Sequence, residues 1–284
     1  RNSRFENIRI DNCAGNGFVQ RSVADSSFQF YLSQVFAYSN DLNGIVLEGS
    51  NDYSEYCHAN TNGQNGIVMS GYESVGYKDQ GESNVLAGIV IQNTHGVDLW
   101  SPSTSTNTDG IVIKNSYGCT INAGWQSSNT NGITITDSSC YDIVIQENKL
   151  TSNSAYGYKE NGTAPLRVKL SENMFDNNGA PVLLVSTTNV FHANTGYVTE
   201  AHGRANIANA GTITIALTPS VAADECSVQL TPYMYPSDHA SHSLMVTVLS
   251  VSNTAITASL MYSNGTTCTD TISIYYKIQW MYDA

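Results

Sequence analysis

Three groups of side chains in this sequence are of types that can do acid–base chemistry. Lys78, Asp79 and Glu82 stand beside Tyr77. Glu48, Asp52 and Glu55 precede them, near His58. Asp137, Asp142 and Glu147 lie near Lys149. Two carboxyl groups held about 5–9.5 Å apart across a glycosidic bond can hydrolyse it, one as acid and the other as base or nucleophile. A lyase needs instead a base such as Lys, His, Tyr or Arg, with a group that neutralises a sugar carboxylate. Asp79 and Glu82, with Glu55 near them, are the expected catalytic acids, because Lys78 beside them suits an acidic sugar. Tyr56, Tyr77, Lys78, Trp100 and Trp125 are the expected substrate-binding set. The C–H faces of sugars stack on such rings while polar neighbours hold hydroxyls. None of these acids sits in a motif of diagnostic spacing, and acidic residues are common in solvated turns.

Other chemistries have no foothold. The sequence contains no Ser-His-Asp arrangement, P-loop or dinucleotide fingerprint, and no repeated Gly-Gly-x-Gly-x-Asp calcium motif. The six cysteines, Cys13, Cys57, Cys119, Cys140, Cys226 and Cys268, lack zinc-site spacing. No metal and no cofactor is therefore expected. The cysteines read as small buried apolar residues; Cys226 and Cys268 both lie in the C-terminal region, and the sequence leaves open whether they pair. With 12 Lys+Arg against 24 Asp+Glu, the net charge of −12 argues against binding nucleic acid through its phosphates. No apolar run reaches 18 residues, so no membrane-spanning helix is expected. The chain starts at Arg1 rather than Met and reads as a piece of a longer one.

What must position these residues is a repeat. Gly-Ile recurs at Gly44, Gly66, Gly88, Gly110 and Gly132, a constant spacing of 22 residues. Gly17 precedes Gly44 by 27, so that coil carries about five extra residues. A second strand follows in each unit, as in Val97–Trp100 and Cys119–Asn122. Asn43, Asn65, Asp109 and Asn131 precede the glycines, where residues tolerant of positive φ suit a sharp corner. Propeller blades need a longer unit and helical repeats a 3.6-residue period. The pattern predicts an all-β chain: a right-handed parallel β-helix over 1–202, then a small antiparallel β-sandwich over 203–284, where longer alternating strands begin.

Alternation across the strand places Ile45, Ile67, Ile89, Ile111 and Ile133 inside, and Val46, Val68, Val90, Val112 and Thr134 outside. An outward valine stripe suggests a subunit interface. On the second strand the expected outward column is Tyr56, Lys78, Trp100, Asn122 and Val144.

With its Asn-Gly-Ile corners at Asn43, Asn65 and Asn131, and its C-terminal strands such as Val246–Ser252 and Ile278–Trp280, the chain resembles bacteriophage tailspike and tail-fibre proteins of the pectate-lyase-like β-helix type. The resemblance implies a homotrimer on the virion tail that binds, and often cleaves, bacterial surface polysaccharide. It carries over no catalytic residue. A secreted monomeric polysaccharide lyase or epimerase and a non-catalytic adhesin are the alternatives.

Overall fold

In the computed structural model the described residues are 2–21, 29–161, 165–183, 190–192, 194–195, 200–207, 212–216, 226–233, 244–251, 255–262 and 272–280, and every regular element among them is a β-strand. The chain divides into two compact units, 1–197 and 198–284.

The first unit is a parallel β-solenoid of about seven turns, in which each full coil contributes three strands. The first column runs through Ile45–Leu47, Ile67–Met69, Ala87–Gln92, Asp109–Lys114 and Asn131–Ile135, and continues through Tyr156–Glu160 to Ala180–Leu183. The second includes Tyr53–Glu55, Val75–Tyr77, Asp98–Trp100 and Thr120–Asn122. The third includes His58–Asn60, Gln80–Glu82, Ser103–Ser105 and Trp125–Ser127. Gln20 pairs with Leu47 but Tyr31 with Tyr53, so the five extra residues of the early coil lie between Gln20 and Gln29.

The five repeat isoleucines stack in one register and are fully buried, as the spacing predicts. Single residues in the left-handed region turn the chain at every corner. Between the second and third columns they are Gln34, Tyr56, Lys78, Ser101, Ala123 and Glu147. Between the third and first they are Ser39, Thr61, Ser83, Thr106, Ser128 and Ser152. The repeated Gly-Ile glycines are not among them, and neither are the residues before them. Those glycines are required for close approach instead. A Cβ on Gly66 would lie 2.7 Å from the Asn84 amide nitrogen and 2.5 Å from the Gly88 carbonyl oxygen.

That amide belongs to a buried asparagine ladder directly after the third-to-first corner: Asn40, Asn62, Asn84, Asn107, Asn129, Asn153 and Asn178. The backbone N–H and the side-chain Nδ2 of each donate to Oδ1 of the next, as in Asn62 to Asn84 at 3.0 and 2.9 Å. The second Nδ2 proton reaches back to a carbonyl of the preceding coil, such as Gly81 from Asn107 at 2.9 Å. The corner's buried polar groups are thereby paired, as burial requires.

The outward valines differ from expectation. Val46, Val68 and Val90 are only 7, 4 and 6% exposed and pack with Ala87 and Val112 into a cluster of their own. Thr134, next in the column, is buried and donates to Asp109 at 2.7 Å. The stripe is therefore covered within the single chain and is not an open apolar face, so it supplies no motive for a subunit interface. Val68→Asp is accordingly expected to lower the stability of the isolated chain by more than about 2 kcal/mol, since it buries a charge among methyl groups. Denaturant unfolding of the variant, run at a concentration where the protein is monomeric, measures this.

The second unit contains two antiparallel three-stranded sheets. Ile272–Trp280 lies between Glu200–Ile207 and Cys226–Tyr233, and Ala255–Tyr262 lies between Thr212–Ala216 and Leu244–Val251. Cys268, the candidate partner of Cys226, lies outside the described residues.

Candidate functional site

The second-to-third corner gathers most of the expected binding residues. Tyr56 and Lys78 are themselves corner residues, and backbone hydrogen bonds stack them: Tyr56 N–H donates to Tyr77 O at 2.9 Å and Lys78 N–H to Trp100 O at 2.8 Å. The expected column of Tyr56, Lys78, Trp100, Asn122 and Val144 is thus one residue out of register. Trp100 pairs with Tyr77 and Asn122, Tyr77 pairs with Glu55, and Asn122 pairs with Gln146 rather than Val144. The cause is one extra residue in the coil before Ser101, which keeps the Gly-Ile spacing but moves this corner by one position.

The Lys78 ammonium lies 5.3 and 5.2 Å from the Tyr56 and Tyr77 ring centres and donates to the Tyr56 hydroxyl at 3.4 Å. The two rings meet edge to face at 5.9 Å. The Tyr56 hydroxyl, followed by that of Tyr77, holds the Lys78 pKa above its usual value. Both arrangements favour the cation. Beside Tyr56 opens a cleft of about 300 Å³, lined by Gln34, Phe36, Tyr56, His58 and Gln80.

Trp100 is 43% exposed, and its strand neighbour Asn122 is 6% exposed with no hydrogen-bond partner for Oδ1. Trp125 is more exposed and stands on the third column, paired with Ser103 and Lys149, with the Lys149 ammonium 5.4 Å from its ring centre. It lies across the Ala123 corner from Asn122.

The expected catalytic acids are not brought together. Asp79 is a correction: it points into the solenoid and is fully buried. Its carboxylate accepts the Ser54 hydroxyl at 2.5 Å and Cys57 N–H at 3.0 Å. Burial raises its pKa to about 7, against the opposing hydrogen bond from Ser54. Strand alternation, with the corner at Lys78, turns Asp79 inward. Glu82 faces outward on the third column, 3.3 Å from His58 Nε2 and 3.5 Å from the Asn60 amide nitrogen. The wall of the solenoid therefore separates Asp79 from Glu82, and the two cannot flank one bond. Glu55 stands outward in the Tyr77–Trp100 column but accepts the Tyr31 hydroxyl, Ser33 Oγ at 3.0 Å and the Tyr53 hydroxyl at 3.5 Å. Glu55 raises the Tyr31 pKa to about 12, mainly through that hydrogen bond. His58 Nδ1 lies 3.4 Å from the Tyr38 hydroxyl, which completes a Tyr38–His58–Glu82 group on the outer face.

Among the described residues no three His, Cys, Asp or Glu side chains cluster closely enough to hold a metal ion. Cys57, Cys119 and Cys140 are buried, and burial raises the pKa of each thiol. Among the described residues no helix is long and apolar enough to cross a membrane.

Solved structures share this architecture. The A-module of the Azotobacter vinelandii mannuronan C-5 epimerase AlgE4 superimposes with a TM-score of 0.56 at 16% identity, over 67% of this chain and 57% of that one. Tailspike protein 2 of the Escherichia coli O157:H7 bacteriophage CAB120 gives 0.51 at 11% identity, over 92% of this chain and 49% of that one. At these identities the likeness is one of fold, and the chain spans about half the length of the structures it matches. No curated protein matches in sequence. A family pattern does match, over residues 6–212, and by that match the chain belongs to the family described as "Periplasmic copper-binding protein (NosD)".

Proposed function

We propose that the flank bearing Tyr56, Tyr77, Lys78, Trp100 and Trp125 binds an extended polysaccharide carrying acidic sugars, outside the cytoplasm. The observation that carries this reading is the exposed ring of Trp100, whose backbone carbonyl accepts the Lys78 N–H, beside the Lys78 ammonium held over the Tyr56 and Tyr77 rings. A sugar can stack on the ring, and Lys78 one coil away supplies the charge for its carboxylate. Matches of fold to a mannuronan epimerase and a tailspike support a polysaccharide ligand. Trp100→Ala is expected to weaken binding at least tenfold, since truncating a central aromatic anchor of a binding site costs about 2 kcal/mol or more, and to leave the unfolding midpoint nearly unchanged. Affinity electrophoresis through gels containing alginate or polygalacturonate tests both expectations. Unaltered mobility shifts in the variant would move the site off this flank.

Depolymerisation is the finer reading. The acid–base couple available on the outer face is Glu82 with His58, beside the cleft that His58 lines. Asp79, behind the wall, takes no part. Loss of product formation in Glu82→Gln with binding retained supports the couple, and full turnover in that variant removes it.

A host-recognising homotrimeric spike is a second reading, favoured by the tailspike match over 92% of the chain. A monomer of the intact chain in sedimentation would exclude it. The family's description names copper, but the described residues do not fit that metal. The buried thiols are held protonated, His58 faces Glu82 and Tyr38, and no third ligand stands near. No step is assigned to copper.

A further inference from the structure

A second aromatic array lies at the other end of the second column, at the corner that follows the first. Tyr72, His95, Tyr117 and Tyr141, one from each of four successive coils, stack with ring centres 4.5, 5.1 and 4.6 Å apart and interplanar angles of 26, 12 and 3°. Backbone bridges His95–Tyr117 and Tyr117–Tyr141 fix that register. Arg167 closes one end, 5.5 Å from the Tyr141 ring centre and paired through two hydrogen bonds with Asp142. Alongside the rings runs a groove of about 490 Å³, whose other side carries the amides of Asn93 and Asn115, joined head to tail at 3.0 Å.

We infer that this groove is a second binding site, for a neutral, hydroxyl-rich glycan lying along the solenoid axis. The ring faces are occupied by one another, so the array offers edges and phenol hydroxyls rather than stacking platforms. The Tyr117 and Tyr141 hydroxyls stand one coil apart, about 4.8 Å, and that of Tyr72 stands two coils from Tyr117 with His95 between, opposite the paired amides of Asn93 and Asn115. None of the residues lining the groove is Lys, Arg, Asp or Glu. Of the nearby charges, Asp142 is paired with Arg167, while Asp137 accepts Asn115 N–H and the Thr136 hydroxyl and keeps a negative charge that disfavours an anionic ligand. A ligand recognised here is therefore read through hydroxyls and not through charge. This separates it from the Lys78 flank, on whose polysaccharide-binding character the inference rests.

Stacking alone would also hold the coils together, so the test keeps the rings and removes the hydroxyls. The double variant Tyr117→Phe, Tyr141→Phe is compared with the wild-type chain by affinity electrophoresis in dextran, glucomannan and starch gels and, separately, in alginate. The expected result is binding to at least one neutral polymer that falls roughly tenfold in the double variant, equal to about 1.4 kcal/mol for two lost hydrogen bonds, with alginate binding and the unfolding midpoint unchanged. Wild-type binding to no neutral polymer, or equal binding by the variant, overturns the inference. Failure of the Lys78 flank reads out separately, as loss of the alginate response to Trp100→Ala.

Discussion

Ile89→Asp is expected to yield no folded solenoid, whereas Ile89→Ala is expected to fold with stability lowered by about 2–5 kcal/mol. Ile89 is fully buried between Ile67 below and Ile111 above. In a solenoid each coil covers its neighbours, so a defect in the middle of the stack exposes two coils and not one. Alanine leaves a cavity that the two neighbouring isoleucines close only in part. Aspartate places a carboxylate with no partner in a dry column, and the cost of burying an unpaired charge exceeds the few kcal/mol by which a domain is stable. Far-ultraviolet circular dichroism and urea unfolding measure both variants. A folded Asp variant with a native midpoint would refute the stacked core.

Asp79→Asn is expected to stabilise the protein at pH 8 by about 3–4 kcal/mol and to change little at pH 4. The folded-state pKa of Asp79 is raised from 3.8 to about 7, mainly by burial. Between those values the folded state holds a proton that the unfolded chain has lost. Wild-type stability therefore falls as pH rises from about 4 to about 7 and levels off above. Asp52, raised to about 6 by burial, contributes in the same direction, so the informative quantity is the difference between variant and wild type. An amide suits the position. Asn148, Asn173 and Asn194 follow the same corner in later coils and stack there, with Asn148 donating to Asn173 Oδ1 at 3.1 Å and Asn173 to Asn194 Oδ1 at 3.0 Å. Urea midpoints for both proteins across pH 4–8 measure the effect. Parallel curves for the two proteins would show that Asp79 carries no burden of ionisation.

The core was legible because its signal is strictly periodic. Gly-Ile at 22-residue spacing fixed the first column and the inward isoleucines without reference to any other residue. The site was less legible because it sits at a corner. A one-residue change in coil length before Ser101 leaves the Gly-Ile count intact yet moves Tyr56 and Lys78 out of line with Trp100. The same corner turns Asp79 inward, which local sequence does not reveal. The asparagine ladder was visible in principle, since Asn40, Asn62 and Asn84 share the 22-residue step, but later steps lengthen to 23, 24 and 25 residues. The aromatic array at Tyr72, His95, Tyr117 and Tyr141 drifts likewise, and an aligned table of corners would have exposed it. Coverage of Val46, Val68 and Val90 within one chain depends on lateral packing, which alternation does not encode.

The most direct measurement is a crystal structure of the chain with a bound alginate or polygalacturonate oligosaccharide. The account predicts a sugar ring stacked on Trp100 and a carboxylate of the oligosaccharide within reach of the Lys78 ammonium. An oligosaccharide seated on another face, with Trp100 bare, would contradict it.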